Sequence, residues 1–277
     1  MRARNLFILF FIWAIGLQAQ NSINTFTVLS FNVYGAPESE WPTRLGMILD
    51  EIETLKPDVI CLQEIVETPG SQGADNRAKI LADSLFERTG IGYNYTWQRT
   101  HFSWSIFDEG IAIMSPHIIL ESDFVDLPRG LFNRKSLWAK VLTQSGIVNL
   151  FNTHLSFGNQ EDVRIEQVKA IKAFVSEKST QNIASANVLC GDFNAIPDSP
   201  PIQLLTEEDT SGTIYLDSWD IINPSDPGLA MPSDNPDARI DYIMLKNDSD
   251  TEILAANQAF KTPNTDNVFP SEIRFPG

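Results

Sequence analysis

The sequence predicts an α/β fold, on three observations. An apolar strand, an amphipathic helix and a second apolar strand follow one another between Thr25 and Glu64, the spacing of an α/β layer. Val188 to Ala195, VLCGDFNA, reads as a strand buried on both faces that ends in polar chemistry. The same pattern, an apolar strand closed or interrupted by one polar side chain, recurs at Asn32, Glu64, His154 and Asp241. Within VLCGDFNA, Gly191 lets the backbone turn where a side chain would obstruct a ligand. Asp192 and Asn194 then leave the strand end together, an acceptor and an amide able to share a small oxygen-rich ligand. On its own this stretch also fits plain turn chemistry.

The chain opens with Arg2 and Arg4, an apolar run from Leu6 to Leu17 and Gln18-Ala19-Gln20. That is the pattern of a secretory signal peptide over residues 1–19, cleaved after Ala19, and it predicts a secreted or periplasmic protein. Residues 20–277 read as one domain, with no linker, repeat or low-complexity tract. TFTVLSFN (25–32) is the first strand. Leu45, Ile48, Leu49, Ile52 and Leu55 then make one stripe on a helix over Pro42–Leu55, stopped by Lys56-Pro57. Asp58 to Glu64 is a short buried strand, and Arg77 to Arg88 a second helix ended by Gly90.

Tyr93–Gln98 and Gly110–Ser115 read as strands. The aromatic stretch between them, Arg99 to Glu109, suits either a loop lining a cleft or a hairpin whose rings pack. Leu137–Leu142 and Ile147–Leu155 are two antiparallel strands joined at Gln144-Ser145-Gly146, the second closing with Asn152-Thr153-His154. A helix over Glu161–Lys178 buries Val168, Ile171, Phe174 and Val175. Past VLCGDFNA, Pro197 to Pro201 start a short helix to Leu205, and Asp217 to Asp237 is loop-like. Arg239 to Leu245 is a strand carrying Asp241, with Glu252–Phe260 available to pair with it. The last fourteen residues, Asn264 to Gly277, are polar and proline-containing.

The net charge of −16 becomes more negative once Arg2 and Arg4 leave with the leader. Such a surface repels polyanions and argues against tight, non-specific nucleic-acid binding, whose main term is phosphate neutralisation by Lys and Arg. Phosphate chemistry stays open, because a bound divalent cation reverses the local sign. The two cysteines, Cys61 and Cys190, are too few for a disulfide framework and read as buried thiols, or as one bridge between strands.

LSFNV (29–33), LQE (62–64), EGIAIMS (109–115), NTHLS (152–156), GDFN (191–194) and RIDYIML (239–245) resemble, in order and spacing, the endonuclease/exonuclease/phosphatase (DNase I-like) superfamily. The chain looks most like its secreted sphingomyelinase-like and bacterial phosphodiesterase branches. The resemblance implies a four-layered α/β sandwich, two mostly antiparallel sheets flanked by helices, and Mg²⁺- or Mn²⁺-dependent hydrolysis of phosphodiesters. It implies Glu64 as chief metal ligand with Asn32 beside it. Asp192 would activate water, Asn194 would hold the phosphate and that carboxylate, and His154 would donate to a phosphoryl oxygen, with Asp241 in the same catalytic set. The substrate would be a phospholipid headgroup, a nucleic acid or a related phosphoester. Trp104, in the aromatic stretch, offers a surface for lipid or base and so a peripheral membrane contact. No stable protein partner is implied, and a monomer is expected.

The superfamily pattern ends in Ser-Asp-His followed by a hydrophobic strand. Here the matching stretches are Ser271-Glu272-Ile273, or Thr265-Asp266-Asn267, neither with a histidine. The closing strand is expected to be missing, as in a C-terminally truncated form. A second reading follows, a protein of this fold that binds metal or phosphate without efficient turnover. His101 and His117 are the other histidines that could serve in its place.

Overall fold

The computed structural model describes residues 25–35, 40–103, 105–226, 228, 239–247, 255–258 and 271–276. The expected leader (1–19) and Trp104 lie outside these described residues. No helix among them is long and apolar enough to cross a membrane.

Two six-stranded sheets face one another. The first contains β1 (Thr25–Asn32), β2 (Val59–Glu67), β3 (Asn94–Ser103), β4 (Phe107–Ser115), β11 (Ala255–Gln258) and β12 (Ser271–Pro276), in the order β11-β12-β1-β2-β4-β3. The second contains β5 (Ile118–Asp126), β6 (Lys135–Thr143), β7 (Gly146–His154), β8 (Ala186–Asp192), β9 (Tyr215–Asp217) and β10 (Asp241–Lys246), in the order β5-β6-β7-β8-β10-β9. The period of two in the strands sorts their side chains between layers. Val28, Cys61, Ile111, Ile113, Leu150, Val188, Cys190 and Ile243 meet between the sheets. Their neighbours Leu29, Phe31, Ile60, Leu62, Ala112 and Met114 pack outward on α1 (Trp41–Leu55) and α2 (Arg77–Thr89). On the other side Phe151, Leu189, Tyr242 and Met244 pack on α3 (Glu161–Gln181) and α4 (Pro200–Thr206). The result is the four-layered α/β sandwich expected from the sequence.

Local chemistry sets the element ends. Pro42 sits in the first turn of α1, which stops at Lys56 in the left-handed conformation. Asn76 caps α2 by accepting from the backbone N–H of Ala78 and Lys79, and Gly90 (φ 73°) ends it. Glu161 and Asp162 occupy the first turn of α3, where acids complement the helix dipole. Cys61 and Cys190 are both buried and free, and burial, with Cys190 alongside, pushes the Cys61 thiol well up.

Three sequence expectations are corrected and one open choice is decided. The closing strand is present: β12 pairs antiparallel with β1 from Thr25↔Pro276 to Ser30↔Ser271, covering an edge that would otherwise be open. Ser271-Glu272-Ile273 is therefore the start of that strand, while Thr265-Asp266-Asn267 lies outside the described residues. β11 pairs with β12, not with β10, whose neighbours are β8 and β9. Of the two readings of Arg99 to Glu109, the hairpin is the one found: β3 and β4 pair out to Ser103↔Phe107, with a register shift between Arg99 and His101. Finally, α5 (Ser218–Ile222) follows β9 inside the segment expected to be loop, with Asp217 accepting from the Trp219 N–H.

One buried polar pair ties the sheets together beneath the site. Gln63 Nε2 donates to Asn152 Oδ1 (2.7 Å), and Asn152 Nδ2 donates to the carbonyls of Leu62 and Ala112 (2.9 Å each). Both side chains are fully buried, and the one other partner among the described residues is Ser30 Oγ, a longer acceptor for Gln63 Nε2 (3.3 Å). Asn152→Ala is expected to lower unfolding free energy by roughly 3 kcal/mol, because it removes the shorter bond of Gln63 and the side-chain donor to two core carbonyls. Chemical denaturation measures this, and a loss below about 1 kcal/mol would mean water replaces the amide.

Candidate active site

The sheets' shared slot opens at the carboxyl ends of β1, β2, β7 and β8, where the antiparallel β4 and β10 begin. Strand register alone brings three of the expected residues side by side. His154 is opposite Asp192 in the β7–β8 pair, and Asp192 is opposite Asp241 in the β8–β10 pair. All three continue the inward alternation of Leu150, Val188, Cys190 and Ile243. Asn32 does the same for Val28 and reaches across the slot: its Nδ2 donates to Glu64 Oε1 (2.7 Å) and to Asp192 Oδ2 (3.3 Å).

Glu64 reaches the slot by a different device. Strict alternation would send it outward with Ile60 and Leu62. Instead β2 bulges between Leu62 and Ile65, and Glu64 takes a left-handed backbone (φ 55°). A bulge of this kind re-aims a side chain at the cost of local strain, a combination concentrated at functional sites.

The cavity over these residues has a volume of about 700 Å³. Its lining includes Glu64, His154, Asp192 and Asn194, then His101, one of the two histidines expected as stand-ins for the terminal one, and also Glu109, Phe132 and Arg134, which had no expected role. Arg134 Nη1 donates to His154 Nδ1 (3.1 Å) and lies 3.7 Å from Glu109 Oε1. Guanidinium has no acceptor, so His154 must accept at Nδ1 and carry its proton on Nε2. That Nε2–H faces Asp192 Oδ2 at 3.5 Å. Burial, then Arg134 and His101, depress the His154 pKa far below its usual value, so the ring is neutral.

Asp192 is held on both oxygens. Oδ1 accepts from the backbone N–H of Asn194 (2.9 Å), and Oδ2 faces Asn32 and His154. Asn194 thus holds the carboxylate through its backbone, in a left-handed conformation (φ 48°), while its Nδ2 donates to the Leu155 carbonyl (3.1 Å). Asn32 contacts Glu64 through its amide nitrogen, its oxygen accepting from the Tyr34 N–H (2.9 Å). Gly191 is needed for a reason other than ligand access: a Cβ there would lie 2.0 Å from the Thr153 carbonyl of β7. Arg239 pairs with Asp217 (2.7 Å) and leaves Asp241 free of it. His117 bonds Asp58 (2.7 Å) and is absent from the cavity lining, whereas His101 lines it, stacked 4.5 Å from Phe132.

The site carries four carboxylates, Glu64, Glu109, Asp192 and Asp241, around one buried guanidinium. Burial, then Glu109, push Glu64 up to about 7, against the pull of its Asn32 bond. Burial also raises Asp192 and Glu109. Burial, Asp192 and Glu64 hold Asp241 well above the carboxylate range, and its Oδ1 has no hydrogen-bond partner among the described residues. Crowded acids with an orphan oxygen fit a divalent cation, which would let them ionise together. Among the described residues no three His, Cys, Asp or Glu side chains form a ready-made ligand cluster.

Glu109 was legible in the sequence, since it continues the inward period of Ile111 and Ile113. Arg134 carried no such signal: it precedes β6, whose inward positions are Leu137, Ala139 and Val141.

The model of the Endonuclease/Exonuclease/phosphatase family matches residues 29–255. Protein angel of Drosophila melanogaster is 26% identical over 267 residues, covering 83% of this chain and 72% of that protein. Protein angel homolog 2 of Homo sapiens is 28% identical over 188 residues, 62% of this chain and 32% of that protein. Carbon catabolite repressor protein 4 homolog 3 of Arabidopsis thaliana is 26% identical over 209 residues, 68% of this chain and 44% of that protein. The chain thus spans less than half the length of the latter two. Among solved structures, an endonuclease/exonuclease/phosphatase family protein from Leptotrichia buccalis C-1013-b superposes with a TM-score of 0.73 at 19% identity, over 91% of this chain and all of that one. The human Nocturnin catalytic domain with bound sulfate gives 0.68 at 19% identity, over 91% and 93%. These two structural likenesses concern the fold.

Proposed function

Because this chain belongs to the endonuclease/exonuclease/phosphatase family, we propose that it is a secreted, Mg²⁺-dependent phosphodiesterase whose water-activating base is Asp192. The observation that carries the reading is the clamp on Asp192. One oxygen is fixed by the Asn194 N–H, and the other faces Asn32 and the Nε2–H of a neutral His154 inside a water-accessible cavity. Burial raises its pKa, which makes a stronger base. Asp192 takes the proton of the attacking water. His154, held in its Nε2–H form by Arg134, donates to a non-bridging phosphoryl oxygen, where charge grows in the transition state. Glu64, steadied by Asn32, would hold a Mg²⁺ or Mn²⁺ ion that neutralises phosphoryl oxygen and leaving-group charge.

The test is hydrolysis of bis-(p-nitrophenyl) phosphate, sphingomyelin and single-stranded DNA with Mg²⁺ and with EDTA. Turnover that EDTA abolishes and Mg²⁺ or Mn²⁺ restores is the expected result; no metal-dependent turnover on any of the three sinks the reading. That outcome would favour the binding protein instead, a reading that rests on Ser271-Glu272-Ile273 standing where the family pattern has a histidine. Secretion is proposed from residues 1–19 alone. Mass spectrometry of protein from medium or periplasm should find an N-terminus at Gln20, and an intact Met1 in the cytosol would reject it.

A further inference from the structure

We propose that the basic pocket adjoining the catalytic cavity is a second phosphate subsite, so that the substrate is a short single strand of nucleic acid. This rests on the scissile phosphate lying at Asp192. The pocket, about 540 Å³, shares His101, Phe102 and Phe132 with the catalytic cavity, and these three form the wall between the two. Its remaining lining holds three cations, Arg99, Arg129 and Lys135, and no acid, in a chain of net charge −16. Arg129 is exposed and makes no ion pair with a described residue. Arg99 pairs with Asp108 (2.6 Å), their side chains 51% and 20% exposed, and Lys135, 11% exposed, pairs with the exposed Asp126. Arg129 is therefore the cation of this pocket best placed to take a phosphate, with Arg99 half-exposed beside it.

One loop serves both pockets. Residues 127–134 connect β5 to β6 and carry Arg129 to the basic pocket, Phe132 to the wall and Arg134 to His154. The loop is fixed at both ends and in the middle. The Leu127 N–H donates to the Arg134 carbonyl (2.9 Å), Gln167 Nε2 to the Pro128 carbonyl (2.8 Å), and the Leu131 N–H to Gln160 Oε1 (2.7 Å). Arg129 and Arg134 are therefore preorganised relative to each other, which cuts the ordering cost of binding.

The wall is aromatic. His101 and Phe132 stack at 4.5 Å and Phe132 and Phe157 at 5.9 Å, with Phe102 and Phe157 exposed at the rim. Phosphate, flat ring surface, phosphate is the repeat of a nucleic-acid strand, and base stacking on such rings tolerates any base. The strongly acidic remainder of the surface limits contact to a few nucleotides and disfavours a duplex. A phospholipid headgroup with a single phosphodiester at Asp192 brings no second phosphate to Arg129.

Arg129→Glu separates the possibilities, with Arg129→Lys as the charge-conserving control. On a single-stranded hexanucleotide, Arg129→Glu should raise KM roughly tenfold at low salt and flatten the slope of log(kcat/KM) against log[salt] by about 0.7, one single-strand phosphate contact. A dinucleoside monophosphate, which has one phosphodiester and no second phosphate, should be cleaved unchanged, and Arg129→Lys should keep near-normal KM on both. Equal effects on the two substrates, an equal loss on sphingomyelin vesicles, or no effect on the hexanucleotide overturns the subsite. Fluorescence anisotropy of a labelled hexanucleotide in an Asp192→Asn background reads the subsite without turnover. Binding weakened by Arg129→Glu in a protein that cleaves nothing keeps the subsite and rejects the phosphodiesterase. Absent binding, or binding indifferent to Arg129→Glu, rejects the subsite, whether or not the dinucleoside monophosphate is cleaved.

Discussion

Asp192→Asn should lower kcat by about 10³-fold while leaving the fold intact, because it removes the proton acceptor and keeps the shape. The amide oxygen can still accept from the Asn194 N–H, so the turn after β8 is preserved. What disappears is the negative charge, one of several carboxylates that raise one another at this end of the slot. Relieving that repulsion, and a buried charge with it, offsets the loss of the acceptor facing Asn32 and His154, so the melting temperature should change little in the metal-free protein. Catalytic loss without stability loss is the signature of a chemical role. Activity within tenfold of wild type would remove Asp192 from the mechanism, and a falling melting temperature would recast it as structural. His154→Ala cannot make this distinction, since it also removes the hydrogen-bond acceptor of the buried Arg134, leaving it the more distant Glu109.

Register explains which parts of the site were legible in the sequence. A polar residue that keeps the inward parity of an apolar strand can be read directly, and Asn32, His154, Asp192 and Asp241 all do so. Glu64 breaks parity. Its motif marked it, but its direction depends on a bulge that no periodicity encodes. Arg134 and His101 come from a loop and from a hairpin tip, where position depends on contacts distant in sequence, such as Gln160 and Gln167 on the 127–134 loop. β5 escaped notice because it is an edge strand, exposed over most of its length and carrying Glu121 and Asp123 where a buried strand would be apolar. β12 escaped for a related reason. Its partner β1 lies at the opposite end of the described chain, so neither its composition nor its neighbours announce it.

Gly191→Ala is expected to be the most damaging single change to stability, at about 4 kcal/mol or more, because strain and collision coincide there. Its φ of 145° belongs to backbone space that only glycine enters freely, and β8 at this point runs parallel to β7 with Gly191 opposite Thr153. The added carbon would lie 2.0 Å from the Thr153 carbonyl oxygen and 2.9 Å from its carbon, both backbone atoms that no rotamer change can move. Relief requires β7 and β8 to separate between Asn152, which ties the two sheets together, and His154, which faces Asp192. Fold and site should therefore fail together, in contrast to Asp192→Asn. Gly70 supplies the control: it too has a positive φ (84°), but a Cβ there meets nothing within 4 Å. Gly70→Ala should cost only about 1 kcal/mol, the backbone penalty without the collision. Denaturant titration of both variants isolates the contact between the strands as the difference. Equal losses for the two glycines would show that the β7–β8 spacing relaxes, and that the close approach at Thr153 is not what fixes the position of Asp192.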